Sequence, residues 1–336
     1  MRKLKYLCLM AATGIGAAMG FSGTAQAAAC VGVNFGAPFT GSYSCNSLGT
    51  PTGVTGNLGG ITFLNNDTLL VGGNANGGTG YIAQIGVTRD ANNHVIGFSG
   101  PSSVFSTAPN IDGGLSFGPG GVLFATGYPN NTLIQIKPGS TTPDKIVTLD
   151  PNVGSVGALM FVPSGFAGAG TLKVVSYSNG RWVDATLTPD GTGTYNVSLS
   201  GTIVTLPGGP EGMVYVDGSN AGFAGADSLL VSEYGSGKVG AYTIDAFGNP
   251  ILGSRKDFIT GLSGAEGAVI DPLTGDFLFS TFGGSNQLLV ISGFVAPPPP
   301  TGGVPEPASW AMMIVGLGAV GAGLRRAPKT TRVRFA

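Results

Sequence analysis

The sequence predicts an all-β fold, a β-propeller of about five blades, on three observations. The 336 residues include 60 glycines, and the central stretch carries short runs of Val, Ile, Leu, Phe and Thr with no helical periodicity beyond a turn or two. A short strand led by Gly or Ala recurs five times: Gly60-Ile61-Thr62-Phe63, Gly114-Leu115-Ser116-Phe117, Ala158-Leu159-Met160-Phe161, Gly212-Met213-Val214-Tyr215 and Gly267-Ala268-Val269-Ile270, at spacings of 54, 44, 54 and 55 residues. Each leader is followed by a polar turn and further strands, and repeats of about 40 to 55 residues with three or four antiparallel strands are the signature of propeller blades. A large β-sandwich or a solenoid is the alternative architecture.

Both ends differ in composition from the middle. Arg2, Lys3 and Lys5 precede an apolar stretch at 6–21, and Ala25 and Ala27 frame an A-x-A site. That order predicts a secretory signal peptide over 1–27, cleaved before Ala28 after export through the Sec translocon. Once Cys8 leaves with it, Cys30 and Cys45 remain. An oxidising compartment favours their pairing, the alternative being two free thiols.

The folded region is expected over 28–294. After the leaders, second strands are predicted at 68–72, 122–126, 171–176, 228–233 and 277–281, and third strands at 132–137, 239–244 and 287–292, each set off by glycine or asparagine turns. The fifth unit stops at 294 after three strands, so its outer strand is expected from the N-terminal segment around 39–44. A sixth blade drawn from 28–59 would be too short.

Acidic residues open three leaders, in Asp112-Gly113, Glu211-Gly212 and Glu266-Gly267. These pairs resemble the Glu-Gly or Asp-Gly that opens the innermost strand in propellers of the gluconolactonase and NHL-repeat kind, with Asp112 displaced by one position. In such propellers the innermost strands line the central channel, so the resemblance implies that Asp112, Glu211 and Glu266 converge there. Oxygen ligands from several blades suit calcium. The alternative is that each acid caps a turn or bonds neighbouring backbone amides. Blades one and three depart from the pattern, with Gly59 and Gly157 in the acid's place, which weakens any carry-over of enzymatic activity.

Other chemistries find little support. His94 is the single histidine and sits in the turn 90–94, where a solvated role is expected; zinc sites and a Ser-His-Asp triad lack their residues. The glycine pairs precede strands or turns rather than helices, which excludes phosphate-cradling loops. Eight of the 16 basic residues lie in the two terminal segments but only one of the 17 acids, Glu306, so 28–303 carries eight basic against 16 acidic residues. A net charge of about minus eight argues against nucleic acid and anionic lipid as partners.

The C-terminal segment opens with four prolines at 297–300, an extended spacer over 295–303. Pro305-Glu306-Pro307 and Trp310 then lead into an apolar, glycine-rich run at 308–324, closed by Arg325 and Arg326 and three further basic residues. Seventeen helical residues span about 25 Å, the short limit for a bilayer, and the basic cluster sets the end that stays in the cytoplasm. Segment 304–336 resembles the PEP-CTERM sorting signal. The resemblance implies recognition by an exosortase, processing near Pro305 to Pro307, transient anchoring in the inner membrane, and release or attachment at the surface of a Gram-negative, exopolysaccharide-producing bacterium. Membrane contact is expected through this helix alone. The central region then reads as a non-catalytic propeller binding a polysaccharide or matrix protein, with no obligatory cofactor and with Tyr128, Tyr177, Trp182 and Tyr234 as contact or packing residues. The alternative is a calcium-assisted hydrolase or lactonase working in the channel.

Overall fold

The computed structural model describes residues 27–296. Ala25 and the rest of the signal peptide, the proline spacer, and the sorting segment from Pro305, Glu306, Pro307 and Trp310 to Arg325 and Arg326 with its helix at 308–324 lie outside the described residues. Among the described residues no helix is long and apolar enough to cross a membrane.

The chain begins with three short strands, β1 (Ala28–Ala29), β2 (Asn34–Phe35) and β3 (Ser44–Gly49), and then builds five antiparallel sheets in sequence order. Blade one is β4 (Ile61–Asn65), β5 (Thr68–Gly73), β6 (Tyr81–Arg89) and β7 (Val95–Thr107). Blade two is β8 (Ile111–Phe117), β9 (Leu123–Gly127), β10 (Thr132–Ile136) and β11 (Lys145–Thr148). Blade three is β12 (Val156–Phe161), β13 (Leu172–Ser176), β14 (Arg181–Pro189) and β15 (Tyr195–Leu199), with β16 (Val204–Thr205) also on β14. Blade four is β17 (Pro210–Val216), β18 (Ser228–Glu233), β19 (Lys238–Thr243) and β20 (Lys256–Thr260), and blade five supplies β21 (Ala265–Ile270), β22 (Phe277–Thr281) and β23 (Leu288–Ser292). The fold is a five-bladed propeller, and its innermost strands β4, β8, β12, β17 and β21 are the five leaders.

Second strands such as β9, β13, β18 and β22 are buried along their whole length, because each is covered by a blade on either side. Their sequences are therefore mostly apolar on both faces, with the buried Lys173 and Glu233 paired to Asp184 and Arg255, whereas the outer strands β11 and β15 alternate. At the axis the inner strands approach closer than any side chain permits. A Cβ on Gly60 of blade one would lie 2.8 Å from Leu115 Cβ in blade two, and one on Gly114 would lie 2.7 Å from Leu159 N in blade three. Gly157 faces the Pro210 carbonyl of blade four, Gly212 faces the Glu266 carbonyl of blade five, and a Cβ on Gly267 would lie 2.5 Å from Gly60 Cα. All five seams thus carry a glycine of a leader strand. Hydroxyls of second strands cross two of them: Thr126 Oγ1 donates to Gly157 O at 2.9 Å and Ser280 Oγ to Gly59 O at 2.6 Å.

The N-terminal segment closes the ring as expected, but with a strand that begins where 39–44 ends. The strand that completes blade five is β3, in antiparallel register with β23 (Ile291 opposite Cys45), with β1 outside it, and β2 adds a fifth strand to blade four beside β20. Residues 39–42 instead turn before the strand begins at Ser44. Phe39 and Tyr43 insert between blades four and five, their ring centroids 5.0 and 5.2 Å from that of Phe258. Burying both aromatics there stabilises closure more than placing them on an edge strand would.

A disulfide joins Cys30 to Cys45, and Cys30 N also donates to Cys45 O at 3.1 Å, so the segment carrying β2 is tied back to β3. Replacing both cysteines by serine is expected to cost about 3 kcal/mol, the loop-entropy value for some fifteen residues. The urea midpoint of the oxidised protein against the double variant measures it, and dithiothreitol should lower the midpoint of the former alone.

His94 does not stand free in its turn. Asp90 Oδ1 accepts the Asn92 and His94 amides, which turns the ring toward blade five, where Nδ1 lies 2.6 Å from Asp276 Oδ2. Asp276 raises the His94 pKa through this bond, and the neighbouring Arg89 pairs with buried Asp271 at 2.7 Å. Both pairs join blade one to blade five and help to close the ring.

Candidate functional site

The acids that open β8, β17 and β21 each sit at a register irregularity, between Ile111 and Leu115, between Pro210 and Gly212, and between Ala265 and Ala268. A bulge breaks the alternation of side chains and re-aims the residue within it. The longer irregularity in β8 absorbs the one-position displacement of Asp112 noted in the sequence. As a result Asp112, Glu211 and Glu266, from blades two, four and five, each bring a carboxylate oxygen within 4.8 Å of the others. They are 1%, 4% and 1% exposed.

Carboxylates have no hydrogen to donate to one another. Asp112 Oδ1 and Oδ2, Glu211 Oε2 and Glu266 Oε1 accordingly lack a hydrogen-bond partner, although each is shut away from water. Desolvation pushes all three groups up, Asp112 to about 8, and the negative charge of Asp112 raises Glu211 and Glu266 further. Three such groups keep their charge only if a cation or shared protons compensate it. Blades one and three, with Gly59 and Gly157, leave room for the approach: a Cβ on Gly157 would lie 2.7 Å from Glu211 Oε2.

Above the acids lies a cavity of about 300 Å³ lined by Asn76, Tyr128, Tyr177, Tyr234 and Phe282 together with Glu211 and Glu266. The aromatics follow a positional rule, since Tyr128, Tyr177, Tyr234 and Phe282 are the residues immediately after the second strands β9, β13, β18 and β22. They form an unbroken edge-to-face chain, with centroids 5.9 Å apart at angles of 86°, 81° and 75°. In blade one the corresponding residue is Asn74, whose left-handed φ of 48° and bond to Thr79 Oγ1 fold it away, and Asn76 fills the gap. Asn76 Oδ1 is also buried without a partner. The cup is therefore a hydroxyl-tipped aromatic wall over an anionic floor.

The sequence singled out Tyr128, Tyr177 and Tyr234, and these stand on the rim. Trp182 is instead fully buried in blade three, with Nε1 donating to Asn249 Oδ1 at 3.1 Å. Phe282 and Asn76 escaped notice, although the repeat carries the signal for Phe282: it follows its second strand as the three tyrosines follow theirs. Ser292 Oγ donates to Asp276 at 3.0 Å, on the carboxylate that holds the His94 ring, so no serine–histidine relay forms there.

Comparison with known proteins adds the address. A family model of the PEP-CTERM protein-sorting motif matches residues 303–327. No curated protein matches the chain. Among solved structures, an auxiliary nutrient binding protein from Bacteroides ovatus is similar at 12% identity and TM-score 0.40, covering 80% of this chain and 77% of that one. A gluconolactonase-like chain solved by structural genomics gives 14% identity and TM-score 0.37 over 67% and 70% of the two chains, and the aldose sugar dehydrogenase of Streptomyces coelicolor 12% and 0.39 over 73% and 82%. At these levels the likeness extends to no ligand or reaction.

Proposed function

We propose, with the PEP-CTERM motif at residues 303–327 as premise, that this exported, exosortase-sorted protein reaches the cell surface as a binding propeller. Its ligand is a small hydrophilic group of a polysaccharide or matrix component, held in the aromatic cup through a divalent cation on Asp112, Glu211 and Glu266. The observation that carries this reading is the meeting of three buried carboxylates, from three different blades, with oxygens left unpaired beneath an open cup. Hard oxygen donors of this kind favour Ca²⁺, whose flexible shell of six to eight ligands leaves positions for hydroxyl or carboxylate groups of a ligand. The tyrosine rim supplies flat apolar faces and hydroxyls, as sugar rings require.

A second reading, cation-assisted hydrolysis of a lactone or ester, draws support from the same convergence, since a carboxyl held up to about 8 can carry a proton near neutrality. The binding reading is preferred because the one histidine lies in the turn between β6 and β7, away from the cup, and carboxylates committed to a cation are poor general bases.

Calorimetric titration of the purified protein with Ca²⁺ is expected to show one site, with proton release visible as a dependence of the heat on buffer ionisation enthalpy. Glu211→Gln should remove most of that heat. No heat at millimolar Ca²⁺ would rule the cation out, and turnover of sugar lactones by the Ca²⁺-loaded protein, lost in the same variant, would move the assignment to the second reading.

A further inference from the structure

The direction of the chain fixes which way the cup faces relative to the sorting segment. The acids lie at the starts of the inner strands, and the rim residues follow the ends of the second strands, so both belong to one face of the propeller. In blade five, β22 runs up to that face and ends at Thr281, just before Phe282 of the rim, and β23 runs back, pairing Ser280 with Leu288 and Phe277 with Ile291. The chain therefore leaves β23 at Ser292 on the opposite face. Its next residues stay there: Val295 N donates to Asn220 Oδ1 at 2.7 Å, in the loop between β17 and β18, and the Val295 carbonyl packs on Gly275 in the turn between β21 and β22. Both connections join the far ends of inner strands to the near ends of second strands, which defines the lower face.

We infer that the protein is tethered by the face opposite its cup, so that in every attached form the cup opens away from the membrane and receives a ligand arriving from the aqueous side. The inference rests on the sorting reading but not on the cation. Since inner strands of five to seven residues at about 3.3 Å each separate the faces by about 20 Å, the two orientations are distinguishable by energy transfer.

Processed protein beginning at Ala28 and retaining its sorting segment would be reconstituted in vesicles containing an acceptor-labelled lipid, with donors on single added cysteines beside the native disulfide. Ser178→Cys and Ser285→Cys place exposed sites on the cup face, and Ser164→Cys and Ser219→Cys on the exit face. Transfer at least about twofold stronger from the exit-face pair is expected from the 20 Å offset. Equal transfer, or stronger transfer from the cup-face pair, overturns the orientation. Absence of transfer at all four positions overturns the tether, and the orientation with it, while leaving Ca²⁺ binding in the same samples as a separate result.

Discussion

Gly157→Ala is expected to destabilise the protein by about 3 kcal/mol or more, the upper range for overpacking, although it adds a single methyl group. The added Cβ would run into the Pro210 carbonyl and the Glu211 carboxylate, and the first of these is backbone that cannot swing aside. Gly212→Ala, which meets the Glu266 carbonyl, should behave alike. Gly201→Ala has open space around it and serves as the control, with a change within about 0.5 kcal/mol. Urea unfolding of the three variants separates a closed axis from glycine-rich strands that merely tolerate substitution. Because the seams carry the acids as well, the first two variants should also lose Ca²⁺ binding under conditions where they remain folded.

Glu266→Gln is expected to act with opposite signs with and without the cation. In metal-free protein the three carboxyls are protonated more readily when folded than when unfolded, so the folded state binds more protons and stability falls as pH rises. The loss begins near the unfolded values, about 4, and continues through the Asp112 value of about 8. Removing one buried charge at pH 8 should therefore raise metal-free stability, by about 1–3 kcal/mol, and flatten the pH profile. With Ca²⁺ at a thousand times its dissociation constant the parent protein gains about 4.1 kcal/mol and the variant gains little, so their order reverses. Thermal melts at pH 5 and pH 8, with EDTA or with Ca²⁺, give all four comparisons. A variant less stable than the parent in EDTA at pH 8 would show that the cluster is held together by bonds other than those to a cation.

The blade count could be read from the sequence because the same steric demand, a residue without a Cβ at the axis, recurs in every repeat and leaves a glycine at each leader, in blade three Gly157 just before Ala158. Three acids at those leaders could be read from the same repeat, and the family resemblance pointed to their convergence, but the residues alone did not decide between convergence and turn-capping. Whether Asp112 reaches the others depends on the irregularity between Ile111 and Leu115, and local sequence does not encode the displacement across the ring. The closing strand lies a few residues later than expected because β3, Ser-Cys-Asn-Ser-Leu-Gly, has the composition of a loop; it becomes a strand only because β23 offers an edge. The apolar residues nearby, Phe39 and Tyr43, give the preceding segment the stronger strand signal. The turn 90–94 by itself places His94 in solvent, because the partner Asp276 lies 182 residues away. The rim fell between the two cases: its tyrosines stood out by type, and Phe282 only by its place in the repeat.

The central claim, that three carboxylates from blades two, four and five hold a cation beneath the aromatic cup, is tested most directly by soaking crystals of the protein with Tb³⁺, a luminescent stand-in for Ca²⁺, and measuring anomalous diffraction at the terbium edge. A single dominant peak between Asp112, Glu211 and Glu266, absent from crystals of Glu211→Gln, is the result expected. Terbium found on surface acids alone, with the three carboxylates unchanged around an empty centre, would contradict it.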